Sequence, residues 1–93
     1  MKPKCITYTD GTKEWYLNNK LHREDGPAYE DVNGRIEWWL TGKRHREVGP
    51  AYEDVNGITE WYLNNRYYTE RDYYKELLKL ELITEEDYFL ALI

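Results

Sequence analysis

Ninety-three residues make one small domain with a modest core. A formal charge of −5 with Asp and Glu spread along the chain argues against a phosphate-backbone binder, which needs clustered Lys and Arg. The single cysteine excludes an internal disulfide, and no stretch approaches the roughly 20 apolar residues of a membrane span, so a cytoplasmic protein is expected.

The chain opens with Met1-Lys2-Pro3-Lys4 and no apolar leader follows. Cys5 lies in an alternating run and reads as a strand residue, without the positive surroundings of a reactive thiol. Beyond it the sequence repeats. Trp15, Trp38 and Trp61 are 23 residues apart, and residues 26–48 (GPAYEDVNGRIEWWLTGKRHREV) and 49–71 (GPAYEDVNGITEWYLNNRYYTER) begin with nine identical residues. Residues 3–25 (PKCITYTDGTKEWYLNNKLHRED) fit the same frame more loosely.

Each unit spells a β-hairpin. Asp10-Gly11, Asn33-Gly34 and Asn56-Gly57 stand between alternating runs and predict two-residue turns in which both residues take positive φ. The predicted strands are Ala28–Val32 with Arg35–Leu40, and Ala51–Val55 with Ile58–Leu63. A second turn follows at Asn18-Asn19, Thr41-Gly42 and Asn64-Asn65, leading through Lys20–Arg23 or Lys43–Arg46 into the next unit. Pro27 and Pro50 open the units, where a backbone donor can be spared. Gly26 and Gly49 suit a bend.

Alternation assigns two faces. Trp15/Leu17, Trp38/Leu40 and Trp61/Leu63 are assigned to the core. Glu14/Tyr16, Glu37/Trp39 and Glu60/Tyr62 point the other way, and stacking would line them up as ladders. Arg35 could pair with Glu37. The period changes at Tyr68. Thr69-Glu70-Arg71-Asp72 and Thr84-Glu85-Glu86-Asp87 are helix starts, predicting short helices over about 70–81 and 85–92 that cover the end of the stack. The fold class is thus mainly β: three 23-residue hairpin units over residues 1–68, closed by a helical cap over 69–93 of the same domain. The N-terminal edge is left open for self-pairing.

The unit resembles the MORN repeat, with Gly49-Pro50-Ala51, Gly57, Tyr62 and Asn64-Asn65 at the places of its opening glycines, turn glycine, aromatic and Asn-Gly-Lys. His22–Ala28, His-Arg-Glu-Asp-Gly-Pro-Ala, is similar to the variant found in bacteriophage and giant-virus proteins. The pattern departs at Ala28 and Ala51, and at Arg23 and Arg46. The resemblance implies scaffolding and protein binding without catalytic residues. A phage-type origin implies a host partner, such as a defence enzyme to be inhibited.

The leading partner surface is Tyr16, Trp39 and Tyr62 with Glu14, Glu37 and Glu60, since rings beside carboxylates suit the Arg or Lys of a protein. The capping helices or a second copy are equally able to cover it. The same carboxylates oppose nucleobase stacking. An alternative is sequestration of a small anionic nucleotide by Arg23, Arg44 and Arg46 with His22 and His45, though pairing of these cations with Glu24, Asp25 and Glu47 explains them more simply. His22 and His45 recur with the repeat, which favours a hydrogen bond to a turn over a metal or base role. A third class is a structural protein that self-assembles through the open edge or the Leu-rich helices. No phosphate loop, Cys-x-x-Cys pair or Ser/His/Asp set appears, so no enzyme, cofactor or metal is expected.

Overall fold

The computed structural model describes residues 2–93 and is mainly antiparallel β, followed by two helices. The strands are β1 (Lys4–Thr7), β2 (Lys13–Leu17), β3 (Lys20–Leu21), β4 (Tyr29–Glu30), β5 (Ile36–Glu37), β6 (Trp39–Leu40), β7 (Lys43–Arg44), β8 (Tyr52–Glu53), β9 (Thr59–Leu63) and β10 (Arg66–Tyr68). One sheet runs β1-β2-β4-β5-β8-β9-β10 with β3 beside β2, and β6-β7 form a separate pair. Helices α1 (Glu70–Lys79) and α2 (Glu85–Ala91) follow.

The first turn of each period differs from expectation. Asn33 and Asn56 do not take positive φ; only Gly34 (φ 91°) and Gly57 (φ 81°) do. The Gly34 amide donates to the Asp31 carbonyl (3.2 Å) and the Asp31 amide to the Arg35 carbonyl (3.1 Å). This is a three-residue loop with its glycine in the left-handed region. The Asp31 carboxylate braces it by accepting from the amides of Asn33 and Arg35 at 3.0 and 3.1 Å. Asp54 does the same for Asn56 and Ile58. The two-residue turns with paired positive φ are the second ones: Asn18 and Asn19 (52° and 64°), Thr41 and Gly42 (50° and 76°), and Asn64 and Asn65 (51° and 72°).

The strands are shorter than the alternating runs, and the middle one is interrupted at Trp38. Trp15 and Trp38 each change partners. The Trp38 amide donates to the Ala51 carbonyl (2.8 Å), one period on, while its carbonyl accepts from His45 (3.1 Å), in its own hairpin. Trp15 repeats both bonds with Ala28 (2.9 Å) and His22 (3.0 Å). The bond from Arg23 to the Trp39 carbonyl recurs between Arg46 and Tyr62, and the bond from Gly42 to Leu21 recurs between Asn65 and Arg44. Backbone pairing therefore repeats with the 23-residue period of the sequence.

The core is small and lies at the C-terminal end. Trp61, Leu63, Tyr73 and Leu77 form it, with Tyr68, Tyr74 and Ile83 against it. Tyr73 is the central piece. Its ring sits 5.0 Å from Trp61, its hydroxyl donates to the Arg46 carbonyl, and the Gly49 amide donates back to it at 3.3 Å. Thr69 caps α1 through the Asp72 amide, and Thr84 and Asp87 form a reciprocal capping box on α2. The first helix stops without a glycine. Glu81 adopts φ 61°, and the amides of Glu81 and Leu82 return to Leu78 and Leu77, the double bond of a Schellman ending.

Burial pushes the Tyr73 hydroxyl up to about 12, from an ordinary 10.0. Its neutral form is the one the fold prefers, so its stabilisation is complete below pH 10 and lost as pH rises through about 12. Tyr73→Phe leaves the Arg46 carbonyl and Gly49 amide unpaired and should cost about 1–3 kcal/mol in urea unfolding near neutral pH. The difference between wild type and variant should shrink across the window from pH 10 to 12; a constant difference would contradict the assignment.

Candidate protein-binding face

Strand register places two rows of side chains on one face of the sheet. The first row runs Ile6, Glu14, Tyr29, Glu37, Tyr52, Glu60, each directly opposite the next. The second holds Tyr16 opposite Lys4 and Leu21, Trp39 opposite Arg44, and Tyr62 opposite Tyr67. Tyr16, Trp39 and Tyr62 are half-buried, and so are Tyr29 and Tyr52. Both helices follow the last strand and α1 packs on Trp61 and Leu63, on the opposite face.

Each ring of the second row is held by the carboxylate two residues before it. Tyr16 donates to Glu14 (3.1 Å), the Trp39 indole to Glu37 (2.9 Å), and Tyr62 to Glu60 (2.9 Å). Period 2 along a strand sets this spacing. Burial and the Glu60 hydrogen bond raise the Tyr62 hydroxyl above its ordinary value against a smaller opposing effect of Arg44, so the hydroxyl stays a donor. In the first row Tyr29 and Tyr52 donate in the same manner to Asp31 and Asp54.

The rings do not stack on each other as a ladder: among the described residues no ring pair joins Tyr16 to Trp39 or Trp39 to Tyr62. Arg44 lies between them instead. Its guanidinium carbon is 5.2 Å from the Trp39 ring, 5.4 Å from Tyr62 and 5.7 Å from Tyr52. Glu37 is the electrostatic centre. Its side chain is 8 % exposed, accepts from Trp39, and pairs with Arg35 at 3.1 Å and Arg44 at 3.5 Å. Two cations offset the burial of one carboxylate. Glu37 is therefore committed within the chain, while Glu14 and Glu60 remain half-buried at the two ends.

The cations grouped from the sequence are not together. Arg23 lies over Trp15 (4.1 Å) and Arg46 over Trp38 (4.0 Å), on the core face. They donate to the carbonyls of Pro27 and Pro50. Arg44 is on the aromatic face. The Arg23 guanidinium lies close over Gly26, 2.7 Å from where a Cβ would stand. His22 Nδ1 accepts from the Thr41 amide (2.9 Å) and His45 Nδ1 from Asn64 (3.0 Å), so each ties one hairpin to the next second turn. The opposite ring nitrogens face Glu24 at 3.8 Å and Glu47 at 3.0 Å.

Among the described residues no three His, Cys, Asp or Glu side chains converge as a metal site. No helix is long and apolar enough to cross a membrane. Cys5 is exposed and free. Comparison with protein-family models, with curated proteins and with solved structures finds no match.

Tyr29 and Tyr52 belong to the face but escaped the sequence reading. The strand pattern put them in alternating runs; the signal lay in the cross-strand register, which a different turn length shifts. His45→Ala should strand the Asn64 amide beside a buried position and cost about 1–3 kcal/mol by chemical denaturation. His22→Ala, beside an exposed turn, should cost less; equal or reversed losses would contradict the joint.

Proposed function

We propose that the chain is a non-catalytic protein-binding module, a solenoid of three MORN-like units at 3–25, 26–48 and 49–71, whose contact surface is the face of Tyr16, Trp39 and Tyr62. The observation that carries this reading is the set of half-exposed rings fixed by their own carboxylates and left uncovered by the two helices. Orienting a ring beforehand reduces the ordering cost of binding. Half-exposed Tyr and Trp on a firm sheet are the usual anchors of protein contacts. Tyr29 and Tyr52 extend the surface across the sheet.

The kind of partner follows from what the face has left to offer. Glu37 is spent on Arg35 and Arg44, so ion pairing falls to Glu14 and Glu60 at the flanks. The rings themselves offer π faces and the edges of hydrogen-bonded hydroxyls. A partner segment with an Arg or Lys at each side and apolar groups between fits that layout. The likeness to viral repeat proteins supports a host protein as partner, with inhibition of a defence enzyme as the biological role. The nucleotide-sequestering alternative draws little support, because Arg44 stands on the other face from Arg23 and Arg46 and is paired with Glu37.

The test is affinity capture from bacterial lysate, followed by a measured affinity for the recovered partner. Trp39→Ala should weaken that affinity by more than about tenfold, the loss of a hot-spot residue. A partner bound equally by both proteins would remove this face from the account. Saturable heat from a nucleotide panel would overturn the class.

A further inference from the structure

The two helices carry the same motif. Residues 69–78 read TERDYYKELL and residues 84–93 read TEEDYFLALI. Thr69, Glu70, Asp72, Tyr73 and Leu77 recur as Thr84, Glu85, Asp87, Tyr88 and Leu92. Phe89 and Ile93 stand where the first copy has Tyr74 and Leu78. The first copy is satisfied: Tyr73 and Leu77 are 0 % and 1 % exposed, seated on Trp61 and Leu63. The second is not. Phe89 is 64 % exposed and Ile93 98 %, and α2 buries no residue.

The seat is repeated as well. One period before Trp61 and Leu63 are Trp38 and Leu40, which line an open cleft of about 500 Å³ with Arg23, Asp25 and Val48. The hydroxyl of Tyr73 is held by the Arg46 carbonyl and the Gly49 amide. One period earlier these are the Arg23 carbonyl and the Gly26 amide. Among the described residues neither has a hydrogen-bond partner, although Gly26 is buried. The Trp15 cleft is walled by Lys2 and Pro3 instead. Among the described residues the Trp38 cleft is the open seat with the complete set of groups.

We propose that α2 of one copy docks into the Trp38–Leu40 cleft of a second copy, repeating in trans what α1 does on Trp61 and Leu63. Tyr88 presents its hydroxyl to the Arg23 carbonyl and Gly26 amide, and Leu92 covers Leu40. Phe89 and Ile93 leave water on docking, which supplies the driving force. In its own chain α2 leans on α1 with Tyr88 half-buried. One difference separates the two seats. Arg46 lies over the Trp38 ring, whereas one period on the corresponding residue is the short Thr69. The arginine must swing aside for the incoming ring, so the contact is weaker than its intramolecular counterpart. The contact joins unlike surfaces and closes into a ring or continues as a chain. It uses the face opposite to the proposed partner surface and stands independently of it.

Sedimentation of the full chain over a range of concentrations tests this. Wild type should associate reversibly. The double variant Phe89→Glu/Ile93→Glu alters only exposed residues and should stay monomeric with an unchanged circular dichroism spectrum. Arg46→Thr should associate more tightly, by about tenfold. A monomeric wild type, or association indifferent to the α2 double variant, would overturn the proposal. Should Arg46→Thr fail to fold, mixing Val48→Cys with Phe89→Cys, both in Cys5→Ser protein, decides instead. A disulfide between the two variants is expected, and only like-with-like disulfides would contradict the docking.

Discussion

The whole β region rests on what one tryptophan does with its backbone in each of the first two periods. Its amide reaches forward to the next unit's alanine and its carbonyl turns back to its own hairpin's histidine. A strand that paired on one side only would leave isolated hairpins, which are marginal in water. Splitting the two bonds between neighbours makes every hairpin part of the next. Ala28 and Ala51, both 0 % exposed, sit at the receiving end, where the fully enclosed position leaves no room for a larger side chain.

The side chains follow from that exchange. Alternation puts Trp38 on one face and Trp39 on the other, and each then needs a cation or hydroxyl to finish its surroundings. Arg46 covers the first and Arg44 the second. At Trp61 the arginine gives way to Thr69, which begins α1, and Tyr73 takes over the cover. Replacing a guanidinium by a helix produces the only sizeable apolar cluster among the described residues. Order should therefore be strongest at the C-terminal end and weakest at β1, whose four residues are all exposed.

Much of this was legible in the sequence. The 23-residue spacing, the two faces of each strand, the second turns and both threonine-capped helix starts could be read because each rests on a local rule of period, turn chemistry or capping. What escaped depends on contacts across the sheet. The first turns close as three-residue loops, and the sequence shows Asp31 and Asp54 without showing which amides their carboxylates accept from. The partner exchange at Trp38 is invisible in an alternating pattern. Arg44 and Arg46 are two residues apart and look like one band, but the register sends Arg44 to Trp39 while the chain leaves the strand before Arg46 turns onto Trp38. The stop of α1 at Glu81 had no glycine to announce it.

Amide hydrogen exchange resolved by residue reaches the central claim most directly. The amides of Trp15, Ala28, Trp38 and Ala51 should be protected as a set, with protection rising toward Ala51 and the cap, while those of Val32 and Val55 in the exposed turns exchange freely. Trp38 and Ala51 exchanging as fast as Val32 would mean that the hairpins are not joined through their tryptophans.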